Sequence, residues 1–396
     1  MDSNQASTQS PLAKGEDSSM RLSPGISLKN VLLKSIFLFI LLNLLFALFK
    51  PVPWLARISA YNSLFPGRQR LPFGEIQDKA YNLSLYQLDA MFRSHAISAG
   101  KSPNEYRVIV IGDSSVWGYL LKPDQTLTAS LNRMHLTTPD GKPVRFYNLG
   151  YPTINLTKDI LILSNAMKYQ PDLVVWLTTL EAFPHSKQLT SPIVQHNPNS
   201  VRSLIRAYNL DLDPLDSNLV DPTFLEQTII GQRRSLADLL RLQLYGVLWA
   251  ATGIDQFYPE TYDPPQANLE ASESFYDLNP PTLDAQKLAL DSLSAGGQIS
   301  GRVPILLVNE PIYISQGENS DIRYNFFYPR WAYDQYRSLL MQFSQSKGWA
   351  YLDLWDLIPP GEFTNSAIHL TPLGTERLAS QIIPAVKTLV DQTYVP

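Results

Sequence analysis

The stretch YRVIVIGDSSVWG, residues 106–118, joins an almost unbroken apolar run to a turn that carries two serines. A run of this length and composition is typical of a strand that is buried on both faces, as strands of parallel sheets are. Gly112 allows the chain to turn sharply where the strand ends. Since sites in open α/β sheets form outside the carboxyl ends of the strands, we expect chemistry at this turn.

Four further apolar runs have the same character, and longer helical patterns separate them. Strands are predicted at residues 106–111, 144–149, 172–178, 303–308 and 349–354. Helices are predicted at residues 124–134, 155–169, 283–294, 330–347 and 371–392. Strands alternating with helices indicate right-handed βαβ units, and therefore an α/β fold with a central parallel five-stranded sheet.

The domain organisation follows from changes in composition along the chain. Residues 1–28 are polar and predicted to be disordered, residues 29–50 form a candidate transmembrane anchor, and residues 51–105 form a connector that we expect to pack on the domain. Residues 106–396 are predicted to form the main domain, which contains the predicted strands and helices and has an insertion at about 185–300. Within it, residues 224–251 have a helical pattern.

The apolar run of the anchor is long enough to cross a hydrocarbon core of about 30 Å. Lys34 lies near one end, Lys50 and Trp54 mark the other, and Pro51 then stops the helix. A cleaved signal peptide and a buried core helix are the alternatives. We expect a single-pass membrane protein with the large domain outside the cytoplasm, although the balance of Lys and Arg on the two sides does not support that orientation.

Composition excludes several classes of function. The chain of 396 residues has a formal net charge of −4 and no cysteine. Disulfides, thiolate zinc sites and cysteine nucleophiles are therefore excluded, and no basic patch indicates a nucleic-acid partner. No metal-ligand cluster or phosphate-binding loop is visible, so we predict no cofactor.

Ser114 is the candidate nucleophile, because it lies at the turn after the first strand and its own N–H points to where an oxyanion would form. Ser115 is interpreted as a structural neighbour, and a capping serine is the alternative for Ser114. Such a serine needs a base. His369, in the loop before the last helix, would return to the same edge of the sheet; a surface histidine is the alternative. His95, His135, His185 and His196 are interpreted as surface or insertion residues.

Three motifs together resemble the SGNH/GDSL hydrolase family: GDS at residues 112–114, NLG at 148–150 and HLTPLG at 369–374. The resemblance covers about residues 106–392 without the insertion. It implies a three-layer flavodoxin-like fold and an activity on acyl esters. It also implies that Ser114 is the nucleophile and His369 the general base, and that the N–H groups of Ser114 and Gly150 are oxyanion donors.

Two positions depart from the family pattern. Glu181 takes the place of the asparagine that supplies an amide donor, so it would be protonated, be replaced by another group, or have a different role. Ser366 takes the place of the aspartate that orients the imidazole, and Asn365 precedes it. Asn365, Glu362 or a backbone carbonyl are the candidates for holding the ring, which leaves the third member of the site open.

Two segments outside the motifs have open interpretations. Residues 233–251 are basic at the start and apolar toward the end, which fits a helix at a membrane surface, a helix that lines an acyl groove, or ordinary packing. Residues 324–336 are rich in aromatic side chains and would form a sugar or acyl platform, or be buried under the fourth strand.

The leading hypothesis is an esterase that forms an acyl-enzyme on Ser114 and acts on a lipid or polysaccharide of the cell envelope. An O-acyltransferase for an envelope polysaccharide, beside a membrane acyltransferase partner, differs only in what attacks the intermediate. A non-catalytic envelope-binding protein on the same scaffold is the alternative from a different class.

Overall fold

The computed structural model describes residues 27–74 and 85–393. The predicted disordered tail, residues 1–28, lies almost wholly outside the described residues. The bounds of the helices and strands given below refer to the described part of the chain.

The sheet has five parallel strands in the order β2-β1-β3-β4-β5. The strands are β1 (Tyr106–Ile111), β2 (Val144–Asn148), β3 (Leu173–Thr178), β4 (Ile305–Asn309) and β5 (Ala350–Asp353). This is the flavodoxin-like doubly wound order, in which the direction of strand addition reverses beside β1. The predicted fold class is confirmed.

Twelve α-helices accompany these strands in the described residues. They are α1 (Leu28–Phe49), α2 (Val52–Leu55), α3 (Leu88–Ser94), α4 (Ser114–Trp117), α5 (Leu127–Arg133), α6 (Leu156–Ala166), α7 (Pro192–Gln195), α8 (Pro198–Tyr208), α9 (Ile229–Thr252), α10 (Leu290–Ser300), α11 (Arg330–Lys347) and α12 (Pro372–Thr393).

Helices cover both faces of the sheet and make three layers. α6 and α10 pack together on one face, and α5 and α12 pack together on the other. This arrangement follows from right-handed crossovers, because β1 to β2 and β2 to β3 run in opposite directions across the sheet. All residues of β1, β3 and β4 are buried, as the apolar runs predicted.

The third predicted helix is displaced along the chain. The sequence predicts it at residues 283–294, whereas α10 spans Leu290–Ser300. Before α10, the chain is held against the loop after β3, because Pro184 pairs with Leu288 and the Ala289 N–H donates to the Phe183 carbonyl at 2.8 Å. These contacts keep the residues before α10 out of the helix.

The N-terminal helix α1 is long and apolar enough to cross a membrane. The helix has 22 residues, and its most apolar stretch of 18 residues has a mean hydropathy of 2.5, with only 11% of that stretch buried against protein. Ser27 caps its start, and Lys50 ends it in a left-handed conformation. By length and composition, α1 is therefore a candidate membrane span.

The connector packs on the domain beside the first strand's turn. Asp255, at the end of the insertion helix α9, bridges Arg68 and Arg70 with distances of 3.2 and 3.1 Å, and all three side chains are buried. Arg70 in turn donates to the carbonyls of Gly118 and Leu121 at 3.0 Å each. The connector and the insertion thus brace the segment that follows α4.

Candidate active site

Ser114 is the first residue of α4, directly after β1. Gly112 has a φ of 154°, and a Cβ there would lie 2.7 Å from Val116 Cγ2, so glycine is needed for the turn. Asp113 accepts a hydrogen bond from the Ser115 N–H at 2.8 Å and caps the short helix. The buried Lys158 ammonium donates to the Gly112 carbonyl at 2.7 Å, which stabilises the turn.

The structure places Ser114 and His369 in contact although 255 positions separate them. His369 Nε2 lies 2.8 Å from Ser114 Oγ, which is the geometry that proton transfer requires. Nδ1 of the same ring lies 3.1 Å from Asn365 Oδ1. Because an amide oxygen can only accept, this pattern assigns the proton to Nδ1 and leaves Nε2 free to accept from the serine.

A closed loop before α12 presents the imidazole to the serine. The Thr364 N–H donates to the His369 carbonyl at 2.8 Å, and Phe363 pairs with Leu370 across the loop. The Tyr119 ring packs on the imidazole with 4.5 Å between centroids. The ring is therefore positioned by its own loop and by the segment that follows the nucleophile helix.

Among the three candidates for holding the ring, Asn365 is the residue that contacts it. Glu362 instead accepts a hydrogen bond from the Thr371 hydroxyl at 2.6 Å. Ser366 donates its N–H to the Thr364 carbonyl at 2.9 Å and helps to close the loop. The arrangement at the site is therefore serine, histidine and asparagine.

Burial lowers the pKa of His369 well below its usual 6.5, because removal from water disfavours the charged ring. Part of the residue remains accessible to solvent. No anionic side chain contributes to the shift. The imidazole is thus neutral at pH 7, in the form that a general base must have.

Gly150 has a role different from the one that the family resemblance implies. Its N–H donates to Asn148 Oδ1 at 3.1 Å, and Asn148 Nδ2 donates to the Val116 carbonyl at 2.8 Å. A Cβ on Gly150 would lie 2.4 Å from the Trp117 nitrogen. In this structure the glycine allows close packing against α4, and its N–H is already used, so we do not assign it as an oxyanion donor.

Glu181, at the end of β3, is buried and paired. Its carboxylate forms an ion pair with Lys187 and accepts a hydrogen bond from the Tyr276 hydroxyl. Lys187 also donates to the Glu181 carbonyl at 3.2 Å. Of the three roles left open above, the structure favours the different role: a carboxylate that anchors the insertion, through Tyr276, to the end of the sheet.

Sequence reasoning missed Glu310, which follows β4 directly. It is fully buried, accepts a hydrogen bond from the Ser115 hydroxyl and shares one with Asp113. Burial first, and the Asp113 charge second, raise the pKa of Glu310 well above its usual value. Its position at the carboxyl end of a buried strand was the signal that would have identified it.

One other prediction needs correction. His95 is not a surface residue: it is 1% exposed, and burial lowers its pKa to about 4. Its ring accepts a hydrogen bond from the Ile97 N–H at 3.1 Å, which gives it a structural role.

The aromatic segment at residues 324–336 was open between a platform and burial in the core. Its four tyrosines are buried, which favours burial in the core.

The fold and site define a class: a flavodoxin-like α/β domain with a serine and histidine in contact at the carboxyl edge of its sheet. No protein-family model matches the sequence, and no curated protein matches it. The similar solved structures include a putative GDSL-like lipase, a member of the lipolytic G-D-S-L family and an acetylxylan esterase.

Three solved structures illustrate the similarity. A putative GDSL-like lipase from Bacteroides ovatus is 11% identical, with a TM-score of 0.35; the match covers 74% of this chain and 55% of the lipase. An acetylxylan esterase from Geobacillus stearothermophilus is 10% identical, with a TM-score of 0.36 and coverage of 71% and 94%. A carbohydrate acetylesterase from Sinorhizobium meliloti is 12% identical, with a TM-score of 0.31 and coverage of 72% and 99%. Because these identities and TM-scores are low, the function is inferred from the geometry of the site and not from the similar structures.

Proposed function

We propose that this chain is a serine-dependent esterase of the SGNH/GDSL class, with Ser114 as nucleophile and His369 as general base. One observation carries the proposal: the 2.8 Å contact between Ser114 Oγ and the unprotonated nitrogen of a neutral imidazole. A serine hydroxyl is a weak nucleophile without a base, and this contact supplies one.

The proposed reaction has two halves. Ser114 Oγ attacks the ester carbonyl carbon while its proton moves to His369 Nε2, which forms a tetrahedral oxyanion. The imidazolium then gives that proton to the leaving alcohol oxygen as the C–O bond breaks, leaving an acyl-enzyme. Water attacks the acyl-enzyme, again through His369, and releases the carboxylic acid and free Ser114.

The backbone at the start of α4 is the proposed source of the hydrogen bond that stabilises the oxyanion. Ser114 is the first residue of that helix, so its N–H has no partner within the helix. A hydrogen bond from this group would strengthen as negative charge develops on the substrate oxygen. Asn365 assists by fixing the tautomer and orientation of the ring.

The membrane helix supports a location and a substrate class. We propose that α1 anchors the chain as a single-pass protein, with the catalytic domain on the extracytoplasmic side. An enzyme held there would meet acyl esters on lipids or polysaccharides of the cell envelope, and these are the proposed substrates.

A fluorophosphonate probe tests the proposal, because it reacts covalently with an activated serine. We expect the purified full chain to be labelled and Ser114→Ala to lose labelling together with the hydrolysis of short acyl esters, by about 10³-fold or more. Ser115→Ala is the matched control, because it removes the neighbouring hydroxyl, and it should remain labelled. Labelling that persists in Ser114→Ala would reject the assignment.

The same assay separates the remaining hypotheses. Wild-type protein with neither labelling nor turnover would favour the non-catalytic envelope-binding protein. Labelled protein whose acyl group passes to an added sugar hydroxyl faster than to water would favour the O-acyltransferase, with its proposed membrane acyltransferase partner.

A further inference from the structure

The start of the insertion helix α9 and the turn before it expose large apolar side chains next to α1. Phe224, Leu225 and Ile230 keep 49%, 76% and 50% of their surfaces exposed. We call these three residues the apolar tip. Exposed side chains of this size within a few residues of one another mark an interaction surface.

The apolar tip is tied to α1 at a defined position. The Ile230 N–H donates to Asn43 Oδ1 at 3.3 Å, and Asn43 Nδ2 donates to the Phe39 carbonyl at 2.9 Å. Asn43 is only 8% exposed, although most of the side chains of α1 around it are exposed. The polar side chain of α1 thus faces the beginning of α9.

This contact fixes the depth of the apolar tip. Asn43 lies six residues before Phe49, where α1 ends, which at 1.5 Å per residue is about 9 Å along the helix. If α1 crosses a bilayer, the residues that touch Asn43 lie at a comparable distance below the point where α1 leaves the hydrocarbon. Interfacial helices bury their apolar faces to about 5–10 Å, which matches.

The polar groups of this region are arranged as such a position requires. Amide groups at the start of a helix lack intrahelical partners, and the bilayer interior offers none. Asn43 Oδ1 accepts a hydrogen bond from the Ile230 N–H, and the Thr228 hydroxyl accepts one from the Gly231 N–H at 3.2 Å. The exposed Glu226 carboxylate accepts from both the N–H and the hydroxyl of Thr223 at 2.8 Å, and these bonds lower its pKa, so in this arrangement it has to lie in the headgroup layer.

Basic side chains follow the apolar tip directly. Arg233 and Arg234 are exposed one turn further along α9, on the side that leads toward the catalytic domain. At that height they would reach the phosphates of the lipid headgroups. An apolar tip with arginines one turn above it is the usual pattern of a segment inserted into one leaflet.

We propose that the apolar tip is a second membrane contact, which enters the bilayer without crossing it. It inserts into the outer part of the leaflet that lies on the domain side, where α1 ends at Phe49. The occupant of this surface is lipid: acyl chains around Leu225 and Ile230, and phosphates at Arg233 and Arg234. The inference rests on the proposed membrane span of α1. With two contacts, the domain is held at a fixed orientation relative to the bilayer.

Site-directed spin labelling of the full chain in nanodiscs tests the proposal. The chain has no cysteine, so single variants Leu225→Cys and Ile230→Cys carry one nitroxide each. Ile36→Cys in α1 is the lipid-exposed reference, and Leu215→Cys, 82% exposed, is the aqueous reference. Collision rates with oxygen and with a neutral nickel chelate report depth, because oxygen concentrates in lipid and the chelate in water.

We expect labels at 225 and 230 to prefer oxygen, as the label at 36 does, and the label at 215 to prefer the chelate. Labels at 225 and 230 that behave like the one at 215 would overturn the insertion while leaving the anchor intact. Labels that meet neither reagent would show that protein, such as a second copy, covers the surface, and would overturn the lipid assignment. If the label at 36 also prefers the chelate, the membrane span of α1 itself fails.

Discussion

Asn365 faces the imidazole with a neutral amide at the position where a carboxylate is more usual in serine hydrolases. An amide oxygen holds the ring in the correct tautomer but does not stabilise the charge that the ring acquires during the reaction. The burial that lowers the pKa of His369 is therefore not opposed by any nearby anion. Both features affect how activity depends on pH.

The first prediction concerns the acid limb of the pH–rate profile. His369 acts as base only when neutral, so activity is present above its pKa and is lost as the pH falls through that value. Because burial lowers this pKa, kcat/KM should still be undiminished at pH 6.5. Asn365→Asp places an anion beside the ring, so the pKa should rise by about one unit or more and carry the acid limb upward.

Asn365→Ala is the matched control for this change. It also removes the amide but adds no charge, so kcat should fall while the acid limb stays below pH 6.5. An acid limb that is the same in Asn365→Asp and wild type would show that residue 365 does not act on the imidazole.

The second prediction concerns Glu310, whose pKa is raised well above its usual 4.5, first by burial and then by the Asp113 charge. A carboxyl group with a raised folded-state pKa loses its stabilising contribution as the pH rises through that value. Glutamine resembles the protonated acid, since it can accept from Ser115 and donate to Asp113. We expect the Tm of wild type to fall with rising pH, from about 4.5 upward, more steeply than that of Glu310→Gln.

Glu310→Ala separates charge from packing. It leaves the Ser115 hydroxyl and Asp113 without their buried partner, so it should lower the free energy of unfolding by about 1–3 kcal/mol at all pH values. Equal slopes of Tm against pH for wild type and Glu310→Gln would contradict the raised pKa of Glu310.

Individual site residues could be predicted from the sequence where a motif lies at the end of a strand. They could not be predicted where the role of a residue depends on side-chain conformation. Ser114 and His369 were named from position and pattern. The choice of Asn365 over Glu362 depends on how six residues of loop close, which no local pattern specifies. The engagement of the Gly150 N–H depends on the rotamer of Asn148, a residue that the motif alone does not orient.

The contacts that stabilise the segment after α4 join three elements. These are the connector, the residues that follow α9 and the turn after β1. The Asp255 carboxylate forms ion pairs with both Arg68 and Arg70, at 3.2 and 3.1 Å. The Arg70 guanidinium also lies 4.2 Å from the Trp117 ring centroid. Loss of the carboxylate charge would remove the anion that both buried guanidinium groups contact.

The third prediction is that Asp255→Asn destabilises the domain by about 3–5 kcal/mol, as breaking a buried ion pair does. Denaturant unfolding measures the change. Asp277→Asn is the control, because its pair with Lys287 is exposed and should contribute at most about 1 kcal/mol. A change of the same small size in both variants would contradict a structural role for the buried cluster.

The elements themselves were predicted where their signal is local. β1 and α11 have the predicted bounds because an apolar run and a helical periodicity define them. α10 was misplaced because its sequence, LDSLSAGGQIS, contains two adjacent glycines that suggest a loop. Those glycines make room for rings from other parts of the chain: Trp176 over Gly296, and Trp349 over Gly297.

At the scale of the whole molecule, α1 and the proposed location of the domain can be tested by the side from which residues react. The fourth prediction is that Leu215→Cys, on the domain, reacts with a membrane-impermeant maleimide in intact cells. Leu28→Cys, 81% exposed at the other end of α1, should react only after the membrane is permeabilised. The reverse pattern would place the domain in the cytoplasm.

The topology that joins the first and the last elements of the sheet domain has a consequence for biosynthesis. Ser114 leaves the ribosome 255 residues before His369 does. If α1 holds the nascent chain in the bilayer, as proposed, that chain carries a serine without its histidine partner during most of its synthesis. The proposed esterase activity would begin only once the late loop docks, and esters in the host membrane would be protected until then.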